Sequence, residues 1–299
     1  MFERIGRIFL WIAPFLAVLA GQTRNLAGVG ALLASYAVFA ALMTAVIWKI
    51  GAAKTESGVV REHPAFLPGV LLVAGPLVLL LGASVTGEPT ASRPGDYLLN
   101  TTAILVGSVV LISGFVALFA ALWRSGQRLL PVLGLAGLLV GGAVWLANLV
   151  FRYAVVASGA AEMQAAVEGR AWVAHEYLRG LRGEPSWMEF LLVWTDMLQL
   201  AFVLLAFLAT AAFGVALMKA GWTGRVGGGI FAGLNLALVL TVTLAIVLAG
   251  SGSVAAWAVF VLTIPFMAFI LPYFMGAALV GRGSRGESSG RERTGIMQG

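Results

Sequence analysis

Eight apolar runs, at 8–21, 26–48, 64–86, 99–122, 130–158, 188–218, 229–250 and 254–281, constrain this chain more than any other feature. Most reach the length of about 20 residues that a helix needs to cross a hydrocarbon core. They are apolar all round, whereas a helix on a soluble domain keeps a polar face. They lack the two-residue alternation of a membrane barrel. A spanning helix satisfies its own backbone hydrogen bonds, so helices remain the only spanning structure the pattern allows. The sequence predicts an all-α, polytopic transmembrane helix bundle over 1–281. It has about eight spans, or seven plus a short N-terminal helix. Only 11% of residues are charged and 60% are hydrophobic, against about a quarter charged in a soluble domain.

The first run is the shortest, with 14 residues from Ile8 to Gly21 and Pro14 inside it. Arg4 and Arg7 precede it and Val18-Leu19-Ala20 ends it, which also fits a cleaved signal peptide. Charge placement favours a spanning helix. With eight spans and an inside N-terminus, the inner side holds Arg4, Arg7, Lys49, Lys54, Arg61, Arg124, Arg128, Lys219, Arg225, Arg282, Arg285, Arg291 and Arg293, thirteen cations. The outer side holds five: Arg24, Arg93, Arg170, Arg179 and Arg182. Moving Arg4 and Arg7 outward, as seven spans require, reduces this to eleven against seven. The larger asymmetry obeys the positive-inside bias and puts both termini in the cytoplasm. Trp48, Trp123 and Trp222 beside inner loops, and Trp187 and Trp257 at outer helix starts, match the interfacial preference of indole.

The outer loop 159–187 carries Met163, Val167, Ala171, Ala174, Leu178 and Leu181 at helical spacing, with charges between them. An amphipathic helix lying on the outer surface or capping the bundle is expected, and Ser186 with Glu189 forms a capping box for the next span. The tail 282–299, rich in Gly, Ser, Arg and Glu, is expected to be a disordered basic cytoplasmic segment. Pro68 and Pro76 in the third span and Pro265 and Pro272 in the eighth have similar spacing. Those two spans do not occupy equivalent positions in a four-plus-four duplication, so kinked helices explain the prolines better than an inverted repeat does.

The chain has no cysteine. This excludes a disulfide framework, thiolate-held metals and a cysteine nucleophile. Of its two histidines, His63 lies in an inner loop and His175 in the expected outer amphipathic helix beside Glu176, and a zinc site wants at least three converging ligands. Gly227-Gly228-Gly229 lacks both the preceding strand and the Lys-Ser/Thr of a phosphate loop. No catalytic residue, metal site or cofactor is predicted. The net charge of +6 follows the topology and does not signal nucleic-acid binding.

Four residues form a candidate intramembrane polar site. Asp196 sits two turns inside the sixth run, roughly 9–12 Å below its outer boundary. A carboxylate at that depth must face the bundle, paired or protonated. Asn148 and Arg152 lie one turn apart near the outer end of the fifth run, and adjacent antiparallel helices tend to pack. Arg152 either meets Asp196 or reaches up to the headgroups. Gln199, one turn deeper than Asp196, extends the same polar face. Asn235, in the seventh run, reads as a polar residue in a helix interface. Gly137/Gly141 and Gly229/Gly233 each have the small-xxx-small spacing that permits close helix approach.

The stretch from Phe213-Gly214 to Lys219-Ala220-Gly221-Trp222, followed by a glycine-rich turn into an apolar run, resembles many bacterial multi-span proteins. The likeness implies a membrane protein and no activity. Sixteen arginines against three lysines fit a GC-rich bacterial genome. The expected protein is a multi-pass component of the bacterial cytoplasmic membrane. It is structural or regulatory and acts with membrane-protein partners or as a homo-oligomer within the lipid bilayer. The competing expectation is a small-solute or proton-coupled transporter using Asp196 and Arg152. An intramembrane enzyme is the least favoured, since no span carries HExxH, paired aspartates or a nucleophile matched to a base.

Overall fold

A computed structural model describes residues 2–21, 23–51, 64–85, 94–157, 187–249 and 266–281. Their elements are eight α-helices: α1 Phe2–Gly21, α2 Thr23–Gly51, α3 Phe66–Val85, α4 Pro94–Arg124, α5 Leu129–Ala157, α6 Trp187–Lys219, α7 Arg225–Ala249 and α8 Phe266–Val280. Six contain stretches long and apolar enough to cross a membrane; Ile5–Gly21 of α1 and Met267–Val280 of α8 are shorter apolar helices. The chain is therefore an apolar helical bundle of the multi-pass membrane type. The expected outer helix over 159–187 lies outside the described residues except for Trp187, and the tail 282–299 lies outside them entirely.

Several helices start before their apolar runs, α1 at Phe2 and α7 at Arg225 among them, and two boundaries differ for local reasons. α4 begins at Pro94, five residues before its apolar run. Proline suits the first turn of a helix, where no N–H is needed, so the polar Pro-Gly-Asp-Tyr lead-in is helical as well. α2 is broken at Gly28, whose φ of 83° and ψ of −177° no helix contains. The membrane-length stretch begins just after it, at Gly30.

Glycines determine how closely the central helices pack. α3 and α4 run antiparallel, with Gly75 against Leu111, Gly82 against Ile104, Gly107 against Leu79 and Gly114 against Leu72. On each helix the two glycines are seven residues apart, and each opposes a branched side chain of its neighbour. A Cβ on Gly75 would lie 2.7 Å from the Leu111 backbone nitrogen, and one on Gly107 would lie 2.8 Å from the Gly75 carbonyl. Lipid tails are as apolar as leucine, so close van der Waals contact of this kind is what holds spanning helices together. α8 packs antiparallel on α3 through Gly69 and Gly276. Gly134 and Gly141 of α5 take Phe213 and Leu205 of α6, and Gly214 of α6 abuts Phe231 of α7.

Of the two small-residue pairs noted in sequence, Gly137/Gly141 faces α6, whereas nothing lies within 4 Å of a Cβ at Gly229 or Gly233. Pro14, Pro76 and Pro272 are inside helices. Pro68 falls in the first turn of α3, where it interrupts nothing.

α1 and α2 join the bundle through an apolar cluster in which Leu10, Ala13 and Ala17 meet Tyr36, Met43, Val73 and Tyr273. Tyr36 of α2 donates to the Ala17 carbonyl at 2.9 Å. Tyr273 of α8 donates to the Leu10 carbonyl at 2.6 Å.

Candidate functional site

Among the described residues the buried polar side chains are Asn100, Thr101 and Ser108 on α4, Asn148 on α5, Thr195 and Thr210 on α6, and Asn235 on α7. In α5, Trp145, Asn148 and Arg152 share one helical register; in α6, Thr195, Gln199, Phe202 and Thr210 do the same. Asn148 is 1% exposed, and its Nδ2 donates to the Thr195 carbonyl at 3.3 Å. Its Oδ1 has no hydrogen-bond partner among the described residues. Thr195 is buried and Gln199 half-buried, and each has an interaction of its own.

Of the sequence-predicted group the structure describes the side chains of Asn148 on α5 and Gln199 on α6. Asn148 reaches the level of Asp196, but its partner is the backbone of the preceding residue. Arg152 and Asp196 belong to α5 and α6, and their side chains lie outside the described ones. Asp196 shares the helical register of Leu200, Val203 and Phe207, which are all buried.

Deeper between the helices lies a group that sequence reading missed. Trp145 Nε1 donates to Ser108 Oγ of α4 at 2.8 Å, and Ser108 in turn donates to the Ile104 carbonyl of its own helix. The indole stacks on Phe202 with ring centres 5.0 Å apart, and Phe269 of α8 lies 5.6 Å from both rings. A cavity of about 10 Å³ sits beside them, lined by residues including Ser108, Trp145, Phe202, Thr210, Ala268 and Pro272. Its location follows from Pro272, which lacks the N–H that would have bonded the Ala268 carbonyl and so interrupts the packing of α8. The signal for this group was a tryptophan inside a span, where its N–H demands an acceptor.

Asn235 is fully buried and donates from Nδ2 to the Phe231 carbonyl at 2.7 Å, leaving Oδ1 without a described partner. Thr241 and Thr243 likewise bond back to their own helix, to Ala237 and Val239. Among the described residues no three His, Asp or Glu converge as a metal site. His63 and His175 lie outside those residues. Comparison with protein-family models, curated proteins and solved structures finds no match to this chain.

Proposed function

We propose that this chain is a structural or regulatory component of a bacterial cytoplasmic membrane that acts through protein partners. One observation carries the reading: the space between α4, α5, α6 and α8 is filled. The cavity there measures about 10 Å³, roughly the room one water molecule needs. Three aromatic rings and the Trp145–Ser108 bond lie beside that cavity. The cytoplasmic location of both termini rests on the distribution of cations described above.

A second reading has its own support. The orphan Oδ1 of Asn148, next to the α6 turn that holds Asp196, is a buried acceptor awaiting a donor. A protonated carboxyl would donate to it and a cation would be coordinated by it, which favours a proton or ion site. Proteoliposomes carrying an imposed pH gradient and an internal pH dye separate the two readings. The partner-dependent component leaks protons no faster than protein-free vesicles. A proton flux abolished by Asp196→Asn overturns it in favour of transport.

A further inference from the structure

Two turns at the basic end of the bundle share one design. α4 ends at Arg124, and the turn through Ser125 reaches α5 by way of Gly126, whose φ is 86°. The Gly126 N–H donates to the Trp123 carbonyl at 3.1 Å and the Gln127 N–H to the Leu122 carbonyl at 3.2 Å. α6 ends at Lys219, and Gly221 has a φ of 68°. There the Gly221 N–H donates to Met218 at 3.1 Å and the Trp222 N–H to Leu217 at 2.9 Å. A left-handed glycine with hydrogen bonds folded back onto the last helical turn makes a stiff helix stop.

Each stop displays two exposed cations, Arg124 with Arg128 and Lys219 with Arg225, and no acidic residue occurs from 123 to 132 or from 218 to 229. The turns are neighbours: Gly134 of α5 packs on Phe213 of α6 and Gly141 on Leu205, an antiparallel register that sets the start of α5 level with the end of α6. Leu122, Leu130, Leu217 and Trp222 belong to one apolar cluster. Trp123 is 43% exposed, and the Arg128 guanidinium carbon lies 5.4 Å from the centre of its ring. Just beyond the cations, Leu129 and Leu133 of α5 and Val226 and Ile230 of α7 are exposed apolar residues.

We propose that these paired turns are a binding site for an anionic phospholipid. The four cations take the phosphate, Trp123 sits at headgroup depth with Arg128 held over its face, and the apolar residues of α5 and α7 receive the acyl chains. Stiff turns matter because a lipid then binds cations already in position. Freely moving loops would have to lose side-chain and backbone freedom first. Such a site differs from a diffuse positive-inside charge, which any cation at that face would supply equally.

The test is a lipid titration of the purified full chain in neutral detergent, read as the rise in its thermal midpoint. Phosphatidylglycerol is expected to raise the midpoint and phosphatidylcholine is not. The concentration giving half the rise should increase about fivefold for each of Arg124, Arg128, Lys219 and Arg225 changed to Gln. Lys49→Gln, at the end of α2, should leave it unchanged. Arg128→Gln alone is read if the variant with all four changed does not fold. An equal rise with phosphatidylcholine overturns the site, as does a Lys49→Gln effect equal to that of Arg128→Gln. A rise reproduced by inorganic phosphate overturns the lipid as its occupant.

Discussion

The Tyr273 hydroxyl donates a 2.6 Å hydrogen bond to the carbonyl of Leu10, the acceptor that Pro14 leaves without its helical donor. Proline at position 14 removes the N–H that would have bonded the carbonyl four residues earlier. α8 supplies the missing donor from 263 residues away in sequence. Both partners are buried among apolar side chains, so each would otherwise carry an unmet hydrogen bond into a dry environment. The pair ties α1 into the bundle.

Tyr273→Phe is expected to lower stability by about 1–2 kcal/mol, since it orphans the Leu10 carbonyl. Pro14→Ala restores the helical donor, so the same change should cost markedly less in that background. Thermal unfolding of the two single variants and the double variant measures the coupling directly. Equal costs in both backgrounds would disconnect the tyrosine from the proline.

Gly75→Ala should destabilise by about 1–3 kcal/mol or prevent assembly. Its new methyl would meet the Leu111 backbone at 2.7–2.9 Å, and backbone cannot rotate away as a side-chain end can. Gly229→Ala and Gly233→Ala, which meet nothing within 4 Å, should be neutral or slightly stabilising through helix propensity. Denaturation midpoints in one detergent rank the three variants.

Ser108→Ala should cost about 1–3 kcal/mol, because it leaves the buried Trp145 N–H without its acceptor. Trp145 stacks on Phe202 there, so the near-ultraviolet circular dichroism of the indole should weaken in the same variant. Full retention of both signals would show that the indole N–H has another acceptor.

Asn148→Leu distinguishes the two functional readings. Among the described residues the amide makes one long bond, 3.3 Å, and buries an oxygen with no partner. An apolar replacement of similar size should therefore leave stability unchanged or raise it slightly if the residue only packs. Loss of a pH-driven flux with stability intact would assign the amide to a proton or ion site.

The helices were legible in the sequence because lipid demands long apolar runs, and length and hydropathy report those directly. The start of α4 was not, since Pro94-Gly95-Asp96-Tyr97 is polar and only its proline hints at a first helical turn. The glycine notches of α3 and α4 were hidden for another reason. Gly75 and Gly107 acquire meaning only once the antiparallel register of two helices sets each against a leucine. The pairing of α5 with α6 near Asn148 was readable from adjacency, but its bond to the Thr195 carbonyl was not, because a backbone acceptor leaves no trace in residue type. The link from Tyr273 to Leu10 joins the two ends of the chain, beyond the reach of any local pattern.

The central claim is that this bundle works as one part of a membrane assembly, the space between α4, α5, α6 and α8 being filled among the described residues. The most direct test is native mass spectrometry of the tagged chain, extracted from its own membrane in mild detergent. The account predicts a complex in which another polypeptide is present in fixed stoichiometry and survives dilution. A bare chain carrying only lipid, isolated under conditions that keep other membrane complexes intact, would contradict it.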